Sequence, residues 1–376
     1  MFFCLAMNAQ HKFVLSGTIP VQYNEADILL KSENSAFEPI SIKAKNGKFY
    51  FYGEIKRGYE PAFLYIQKDN IYLGRSFLFI GARDMKIDIV KLNKIDSQND
   101  FRFFNVPFAE EQKRFEHMTN PIKDSAKIAF KPYDDARLGY SKGYNQDSLW
   151  TIVSDLRKKL LTQKIKFIES LPNDYISMYL FNREIINGYH PITAESLNVI
   201  YNKLNNSLKE TDLGKSVNEY IKKKLSLTVG HVLPTFSFST DKGQYFELVS
   251  LLNHKKLLLL CFWDSGCAPC IKKIPTLKMI DEKFGHKGLQ LISVSLDRNT
   301  DTWFRSLERY KMSWLQTCDL PAYIKGNRIA DVYDITHMPQ YFLIDDTGRL
   351  VYHNEQSNDD DEFSILHKLL ETQLPR

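Results

Sequence analysis

The sequence predicts three successive regions: a β-rich region, a helical region and a C-terminal α/β region. Short runs rich in β-branched and aromatic residues fill residues 12–106, which is typical of a sandwich or a small barrel. Apolar residues at helical spacing replace them over residues 107–226. Strand and helix patterns then alternate over residues 227–376, which indicates an α/β layer.

The first region is predicted to be a β-sandwich-like domain. Asn46-Gly47 stands between two of its apolar runs, and this dipeptide is a strong signal for a tight turn between strands. The runs that predict strands are residues 13–17, 27–30, 39–44, 48–55, 62–66 and 85–89.

The second region is predicted to be a helical linker domain. Its predicted helices cover residues 110–117, residues 148–170, a segment capped by Thr193 and residues 217–225. The region contains no Cys–His cluster and no phosphate loop. We therefore interpret it as a spacer or an interaction module.

The third region is predicted to be a layered α/β domain. Its predicted strands are residues 257–263, 289–296, 341–345 and 349–353, and its helices are residues 267–284, 302–310 and 362–372. Asp346-Thr347-Gly348 predicts a tight hairpin between the last two strands.

The motif Cys267-Ala268-Pro269-Cys270 follows the first of these strands. Because apolar residues at helical spacing come next, the pattern predicts a strand, a tight turn and a helix whose first turn carries both sulfurs. A thiol at a helix N-terminus faces unpaired backbone N–H groups and the positive end of the helix dipole, which favours the thiolate. The second cysteine can close a disulfide with the first. This arrangement predicts a dithiol–disulfide exchange centre.

Composition and charge exclude several other classes. The net charge is +5, and the basic runs lack an aromatic-basic recognition motif, so we expect no nucleic-acid partner. No apolar run approaches about 18 residues, so no membrane span is predicted. The five cysteines are too few for a disulfide scaffold. Cys261 is predicted to be buried and inert, whereas Cys318 is predicted to be structural, with a role as a third redox thiol left open.

Residues 1–10 look like the last part of an export signal, with an apolar stretch, small residues and Ala9 as a possible cleavage point. The usual positive leader is absent. We therefore expect a remnant of an export signal and a protein of the periplasm or cell envelope. A cytoplasmic protein with an apolar N-terminus is the alternative.

Several motifs together resemble the thioredoxin superfamily, and more closely the exported thioredoxin-like domains of the TlpA/ResA kind. The resemblance rests on Gly230-His231-Val232-Leu233-Pro234-Thr235-Phe236, Phe262-Trp263, the two cysteines, Pro275 and Met338-Pro339-Gln340-Tyr341-Phe342-Leu343-Ile344-Asp345. The last segment resembles the family's cis-proline strand, which implies a cis Pro339 beside the cysteines. The two preceding regions resemble, more loosely, the N-terminal extension of many such proteins from Bacteroidetes-type bacteria.

The resemblance implies a thiol–disulfide oxidoreductase with a thioredoxin fold. Cys267 would attack a disulfide of a protein substrate, and Cys270 would resolve the mixed disulfide. A separate redox partner would restore the dithiol, and we favour a reductase over an oxidase. No cofactor or metal is implied beyond the redox-active Cys267–Cys270 disulfide. The implied substrate surface consists of Trp263, Ala268, Pro269, Met338 and Pro339.

The sequence also departs from the family's pattern. The departures are Gly266 in place of a Trp before the first cysteine, Cys261 in place of a buried acid, and Lys273 in place of a Glu common in relatives used in cytochrome maturation. The group that takes the proton from Cys270 is therefore not identified by the resemblance, and Asp264 is our candidate. Lys272 and Lys273 could stabilise the Cys267 thiolate.

Three alternatives stay open at this point. A zinc site could combine the cysteine pair with His254 and His337, although zinc needs four ligands and no second CxxC exists. A peroxidase of the peroxiredoxin class usually places Thr a few residues before a single attacking cysteine, where this chain has Asp264-Ser265-Gly266. A binding protein with a vestigial redox domain is the third, and the intact cysteine pair argues against it.

Overall fold

The computed structural model describes residues 11–56, 58–93, 100–137, 146–188, 192–321, 323–325, 327–354, 356 and 363–375. The chain forms two compact units, residues 1–188 and residues 189–376. The helices predicted over residues 107–226 are divided between these units. The predicted domain edges at 106/107 and 226/227 stay predictions, and the predicted export-signal remnant lies outside the described residues.

The first unit begins with two four-stranded sheets. Its strands are β1 (His11–Thr18), β2 (Asp27–Ser32), β3 (Ile40–Lys43), β4 (Lys48–Ile55), β5 (Tyr59–Lys68), β6 (Ile71–Gly81), β7 (Asp84–Lys91) and β8 (Asp100–Phe104). The sheets have the orders β4-β1-β7-β8 and β3-β2-β5-β6. Alternate side chains of both sheets, such as Phe13 and Leu15 of β1 and Ile28 and Leu30 of β2, meet in one buried core. This core confirms the predicted sandwich.

The turn predicted at Asn46-Gly47 forms, but it joins two sheets instead of two neighbouring strands. Both residues have positive φ angles, 53° and 69°, which Asn and Gly adopt most readily. Lys45 and Lys48 exchange backbone hydrogen bonds of 2.8 and 3.0 Å across the turn. Beyond that pair the strands separate, because β3 pairs with β2 and β4 pairs with β1.

Helices cover the sheet that contains β6. The first unit continues with α1 (Ala109–Arg137), α2 (Gln146–Ser170), α3 (Tyr175–Leu180) and a π-helical segment, Phe181–Ile186. The Tyr179 ring lies 5.5 Å from the Phe77 ring and 4.9 Å from the Phe79 ring of β6. Tyr179 therefore packs on the face of β6 that points away from the sandwich core.

A group that we call the charged cluster lies at the same place and consists of Glu33, Lys164, Tyr179, Arg183 and Glu184. The Tyr179 hydroxyl donates to Glu33 Oε2 at 2.6 Å and accepts from Arg183 Nη1 at 2.7 Å. Lys164 Nζ lies 2.8 Å from Glu184 Oε2. These contacts tie α2, α3 and the π-helical segment to the end of β2.

The second unit carries three helices and then an α/β domain. The helices are α4 (Ala194–Lys203), α5 (Asn206–Lys209) and α6 (Asp212–Ser226). The domain contains β9 (Ser237–Ser239), β10 (Tyr245–Glu247), α7 (Leu248–Leu252), β11 (Leu257–Trp263), α8 (Ala268–Phe284), β12 (Leu289–Ser295), α9 (Thr300–Tyr310), β13 (Leu315–Cys318), β14 (Ile324–Lys325), α10 (Ile329–Val332), β15 (Gln340–Asp345), β16 (Leu350–His353) and α11 (Ser364–Gln373). Thr193 caps α4 as predicted, because its hydroxyl accepts from Ser196 N at 3.2 Å.

The α/β domain is built on a five-stranded sheet of order β13-β12-β11-β15-β16. Strand β11 runs parallel to β12 and antiparallel to β15, and all seven of its residues are buried. Alternate residues serve opposite cores: Leu260 packs with Phe238 on one face, and Leu259 packs with Leu277 of α8 on the other. This is the thioredoxin fold that the sequence predicts. No helix among the described residues combines the length and apolar character needed to cross a bilayer.

Candidate functional site

The dithiol motif lies where β11 ends and α8 begins, as predicted. Cys267 is the N-cap residue of α8, and its sulfur accepts a hydrogen bond from Cys270 N at 3.2 Å. The two cysteines form a disulfide, with their Cα atoms 5.3 Å apart. Because the first turn of a helix offers unpaired N–H groups, this position favours a sulfur anion on Cys267.

The two sulfurs differ in exposure. Cys267 is half-buried, whereas Cys270 is only 3% exposed. Ala268 and Pro269, between them, are exposed. An incoming disulfide can therefore reach Cys267 directly, while Cys270 is shielded inside the domain.

The loop before the cysteines is held by two aspartates. Asp264 closes the turn, since its Oδ1 accepts from Gly266 N at 2.8 Å and its carbonyl oxygen accepts from Cys267 N at 3.2 Å. Asp297 is 9% exposed and follows β12. It accepts from the Ser265 hydroxyl at 2.5 Å and from Ser265 N at 3.2 Å.

Asp264 was the predicted acceptor of the Cys270 proton, and Asp297 was not predicted. In the structure, the Asp264 carboxylate is engaged in the turn, and Asp297 is the more buried of the two acids. The sequence does contain a signal for Asp297, which follows the buried strand β12. Because β12 runs parallel to β11, a residue that follows it lies at the same edge of the sheet as the dithiol loop. The Ser295 hydroxyl also donates to Asp297, at 2.7 Å.

The peptide bond between Met338 and Pro339 is cis, as the resemblance implies. Pro339 directly precedes β15, whose first residue, Gln340, pairs with Phe262 near the end of β11. Both Met338 and Pro339 are half-buried, so part of each stays accessible. The proline loop therefore lies at the edge of the sheet from which the dithiol motif emerges.

Behind the disulfide lies a small apolar group that we call the dithiol cluster, formed by the buried residues Trp263, Cys270, Trp303 and Cys318. Cys267 and Met338 are among the partly buried residues that pack against it. Trp263 was predicted to shape the docking surface, but it is only 5% exposed. Its indole therefore lies beneath the site and not on its surface.

The other side chains considered in the sequence, two lysines and two cysteines, differ in exposure. Lys272 is exposed on α8, and the Lys273 ammonium lies 5.0 Å from the centre of the Phe363 ring. Cys261 and Cys318 are buried free thiols. Burial raises the pKa of Cys261 and raises that of Cys318 to about 11, so both are neutral thiols near pH 7. Within the described ranges, no three His, Cys, Asp or Glu side chains are arranged to hold a metal ion.

The C-terminal part of this chain is similar to known proteins. Residues 229–353 match the AhpC/TSA family. The thiol-disulfide oxidoreductase ResA of Bacillus cereus is 27% identical over 128 residues, which cover 34% of this chain and 70% of that protein. Among solved structures, a thiol:disulfide interchange protein from a Bacteroides species is 28% identical, with a TM-score of 0.33, and covers 39% of this chain and 92% of its own. The thioredoxin domain of a thiol-disulfide oxidoreductase from Bacteroides vulgatus is 26% identical, with a TM-score of 0.33. The match covers 38% of this chain and 98% of that domain.

The family match and the ResA relative confirm the predicted resemblance. The C-terminal part of this chain is a thioredoxin-like domain similar to the ResA-type oxidoreductases. By this similarity the chain is an enzyme of the thiol–disulfide oxidoreductase kind.

Proposed function

We propose that this enzyme exchanges disulfides with protein substrates through Cys267 and Cys270, and that it works in the reducing direction. The observation that carries the proposal is the difference between the two sulfurs of the formed disulfide. Cys267 is half-buried at the start of α8, and Cys270 is 3% exposed behind it. Cys267 is thus suited to attack and Cys270 to resolve.

The reaction begins with the reduced enzyme. The Cys267 thiolate attacks one sulfur of the substrate disulfide, forms a mixed disulfide and releases the other substrate sulfur as a thiolate. Cys270, as a thiolate, then attacks the Cys267 sulfur, closes the Cys267–Cys270 disulfide and releases the second substrate sulfur. Two electrons pass from enzyme to substrate, and the protons lost by the cysteines go to the substrate thiols. A separate electron donor must reduce the enzyme again.

The substrate surface in this proposal consists of the exposed motif residues and the proline loop. Ala268 and Pro269 are exposed beside Cys267, and Met338 and Pro339 are accessible at the edge of the sheet. A loop of this kind can offer backbone groups to an extended substrate segment, as in strand addition. Trp263 supports this surface from beneath.

The proposed place of action is the periplasm or cell envelope. The basis is the pattern of residues 1–10, which resembles the end of an export signal. Fractionation of cells that express the full chain tests this proposal. Recovery of the protein with the cytoplasmic enzymes would contradict it.

The reduction potential of the Cys267–Cys270 pair tests the proposed direction. The protein is equilibrated in thiol buffers, the free thiols are trapped and the two forms are weighed by mass spectrometry. A potential near or below about −230 mV is expected for a reductase. A potential near about −120 mV would instead indicate an enzyme that introduces disulfides. Failure of the two sulfurs to pair would overturn the exchange mechanism and favour a vestigial redox domain.

A further inference from the structure

The dithiol cluster contains two buried hydrogen-bond donors that have no acceptor. Trp263 is 5% exposed and Trp303 is 0% exposed. Neither indole N–H finds a hydrogen-bond partner among the residues that the structure describes. A buried donor without an acceptor is unfavourable, because it has given up its hydrogen bond to water. Both donors belong to the same small cluster as the Cys270 sulfur.

The sulfur of Cys270 is the member of this cluster whose strength as an acceptor depends on the redox state. In the structure it is bonded to the Cys267 sulfur, and neutral sulfur is a weak acceptor. Reduction breaks that bond and leaves a thiol or a thiolate, and hydrogen bonds to an anion are the strong ones. Cys267 already has a donor in the backbone N–H of Cys270 at 3.2 Å. No hydrogen bond to the Cys270 sulfur is present in the described part of the chain.

We propose that the indole N–H groups of Trp263 and Trp303 donate to the Cys270 sulfur in the reduced enzyme. They stabilise the reduced form relative to the disulfide and so raise the reduction potential of the pair. The inference rests on the proposed function, since it concerns the same dithiol. The orientation of Trp303 is fixed by packing, because its ring lies 5.0 Å from the Tyr323 ring and 4.9 Å from the Phe304 ring.

Phenylalanine substitutions test the inference, because they remove the N–H and keep an aromatic ring. The full chain carrying W263F and W303F is equilibrated with reduced and oxidised glutathione. Two glutathione molecules supply the two electrons and two protons that reduction of the disulfide requires. We expect the equilibrium of the double variant to shift about tenfold towards the disulfide, which corresponds to about 30 mV.

Trp314 offers a matched control. It is also buried, at 6% exposure, but its indole N–H donates to the Ser293 hydroxyl at 2.8 Å. It packs in a different core cluster from the disulfide. W314F therefore loses the same ring volume and an existing hydrogen bond, and we expect its thiol–disulfide equilibrium to match that of the wild type.

A spectroscopic measurement on the wild-type protein does not depend on how well the variants fold. The chain has four tryptophans, so it gives four indole ¹H–¹⁵N signals, which are assigned in the wild-type protein from their nuclear Overhauser contacts. On reduction, we expect the Trp263 and Trp303 protons to move downfield as they gain an acceptor. The Trp150 and Trp314 signals should stay in place.

The outcomes separate this inference from the proposed function. If the wild-type cysteines do not equilibrate with glutathione, the proposed function fails. If the wild type equilibrates, but the double variant has the same equilibrium and neither cluster signal moves on reduction, only the role of the two indoles is overturned. If the double variant does not fold, the wild-type indole signals decide.

Discussion

The charged cluster of the first unit and the dithiol cluster of the second both bury polar groups. They differ in whether those groups have hydrogen-bond or charge partners. In the charged cluster, Tyr179 donates to Glu33 and accepts from Arg183, and Lys164 lies 2.8 Å from Glu184. In the dithiol cluster, two indole N–H groups have no acceptor among the described residues. The first arrangement suits a region that keeps one structure. The second suits a site whose chemistry alternates between two states.

The pKa values of the charged cluster agree with this contrast. Burial alone would raise the pKa of Glu184, but the hydrogen bond and charge of Lys164, with the charge of Lys123, lower it below its ordinary value. Burial and the hydrogen bond to Glu33 raise the pKa of Tyr179, which stays neutral. Glu184 is therefore held as a carboxylate and Tyr179 as a neutral phenol near pH 7.

The largest predicted loss of stability that tests this comparison is at Lys164, which is 5% exposed in α2. Lys164→Met leaves the Glu184 carboxylate without its nearest cation, and removal of one partner of a buried pair costs about 3 kcal/mol of unfolding free energy. Hydrogen exchange measured by mass spectrometry should show faster exchange in α2 and α3, with β11 unchanged.

The control for that variant lies on the same helix. Lys158 pairs with Asp155 at 3.9 Å, but both side chains are largely exposed. Lys158→Met should therefore leave exchange in α2 close to that of the wild type. Equal rates of hydrogen exchange in α2 for the two variants would show that the charged cluster does not stabilise the first unit.

A smaller loss of stability is expected from a substitution at Asp297, which holds the dithiol loop through hydrogen bonds from Ser265. In Asp297→Asn the amide NH2 would face three groups that already donate to the carboxylate, Ser265 N and the hydroxyls of Ser265 and Ser295. We expect this conflict to lower the free energy of unfolding by about 1–3 kcal/mol. We expect a less ordered loop and a slower reaction of Cys267 with oxidised glutathione. Stopped-flow measurement of that rate checks the expectation.

Asp345 provides a matched control for that change. It also closes a turn, since it accepts from Thr347 N at 2.9 Å and from Arg349 N at 3.0 Å. It pairs with Leu257, at the end of β11 opposite the dithiol. Asp345→Asn should destabilise the domain without changing the rate at Cys267. An equal loss of rate in both variants would mean that Asp297 acts only through overall stability.

The sequence predicts the central elements of the second unit well because their signals are local. Strand β11 is a continuous apolar run bounded by a polar loop, and it forms over the predicted residues. The start of α8 is fixed by Cys267 as N-cap and by the proline that follows. The prediction placed these elements correctly because each depends on neighbouring residues and not on distant contacts.

Other elements depend on contacts that the sequence does not reveal. Strand β6 was not predicted, and its second half, from Phe77 to Ile80, is apolar on both faces. The structure gives the reason, since Tyr179 of α3 covers the outer face of that strand while the sandwich core covers the inner face. Helix α1 was predicted only to residue 117, but it continues through Pro121 and Pro132. The position of Asp297 after a buried strand is visible in the sequence, but its contact with Ser265, 32 residues away in the chain, is not.

The most direct test of the central claim is a trapping experiment with two variants. Reduced Cys270→Ser protein and reduced Cys267→Ser protein are each mixed with oxidised glutathione, and intact masses are recorded over time. Because Cys267 is accessible and Cys270 is shielded, we predict that Cys270→Ser accumulates a glutathione mixed disulfide at Cys267 and that Cys267→Ser forms almost none. A faster adduct on Cys270 than on Cys267, or no adduct in either variant, would contradict the account.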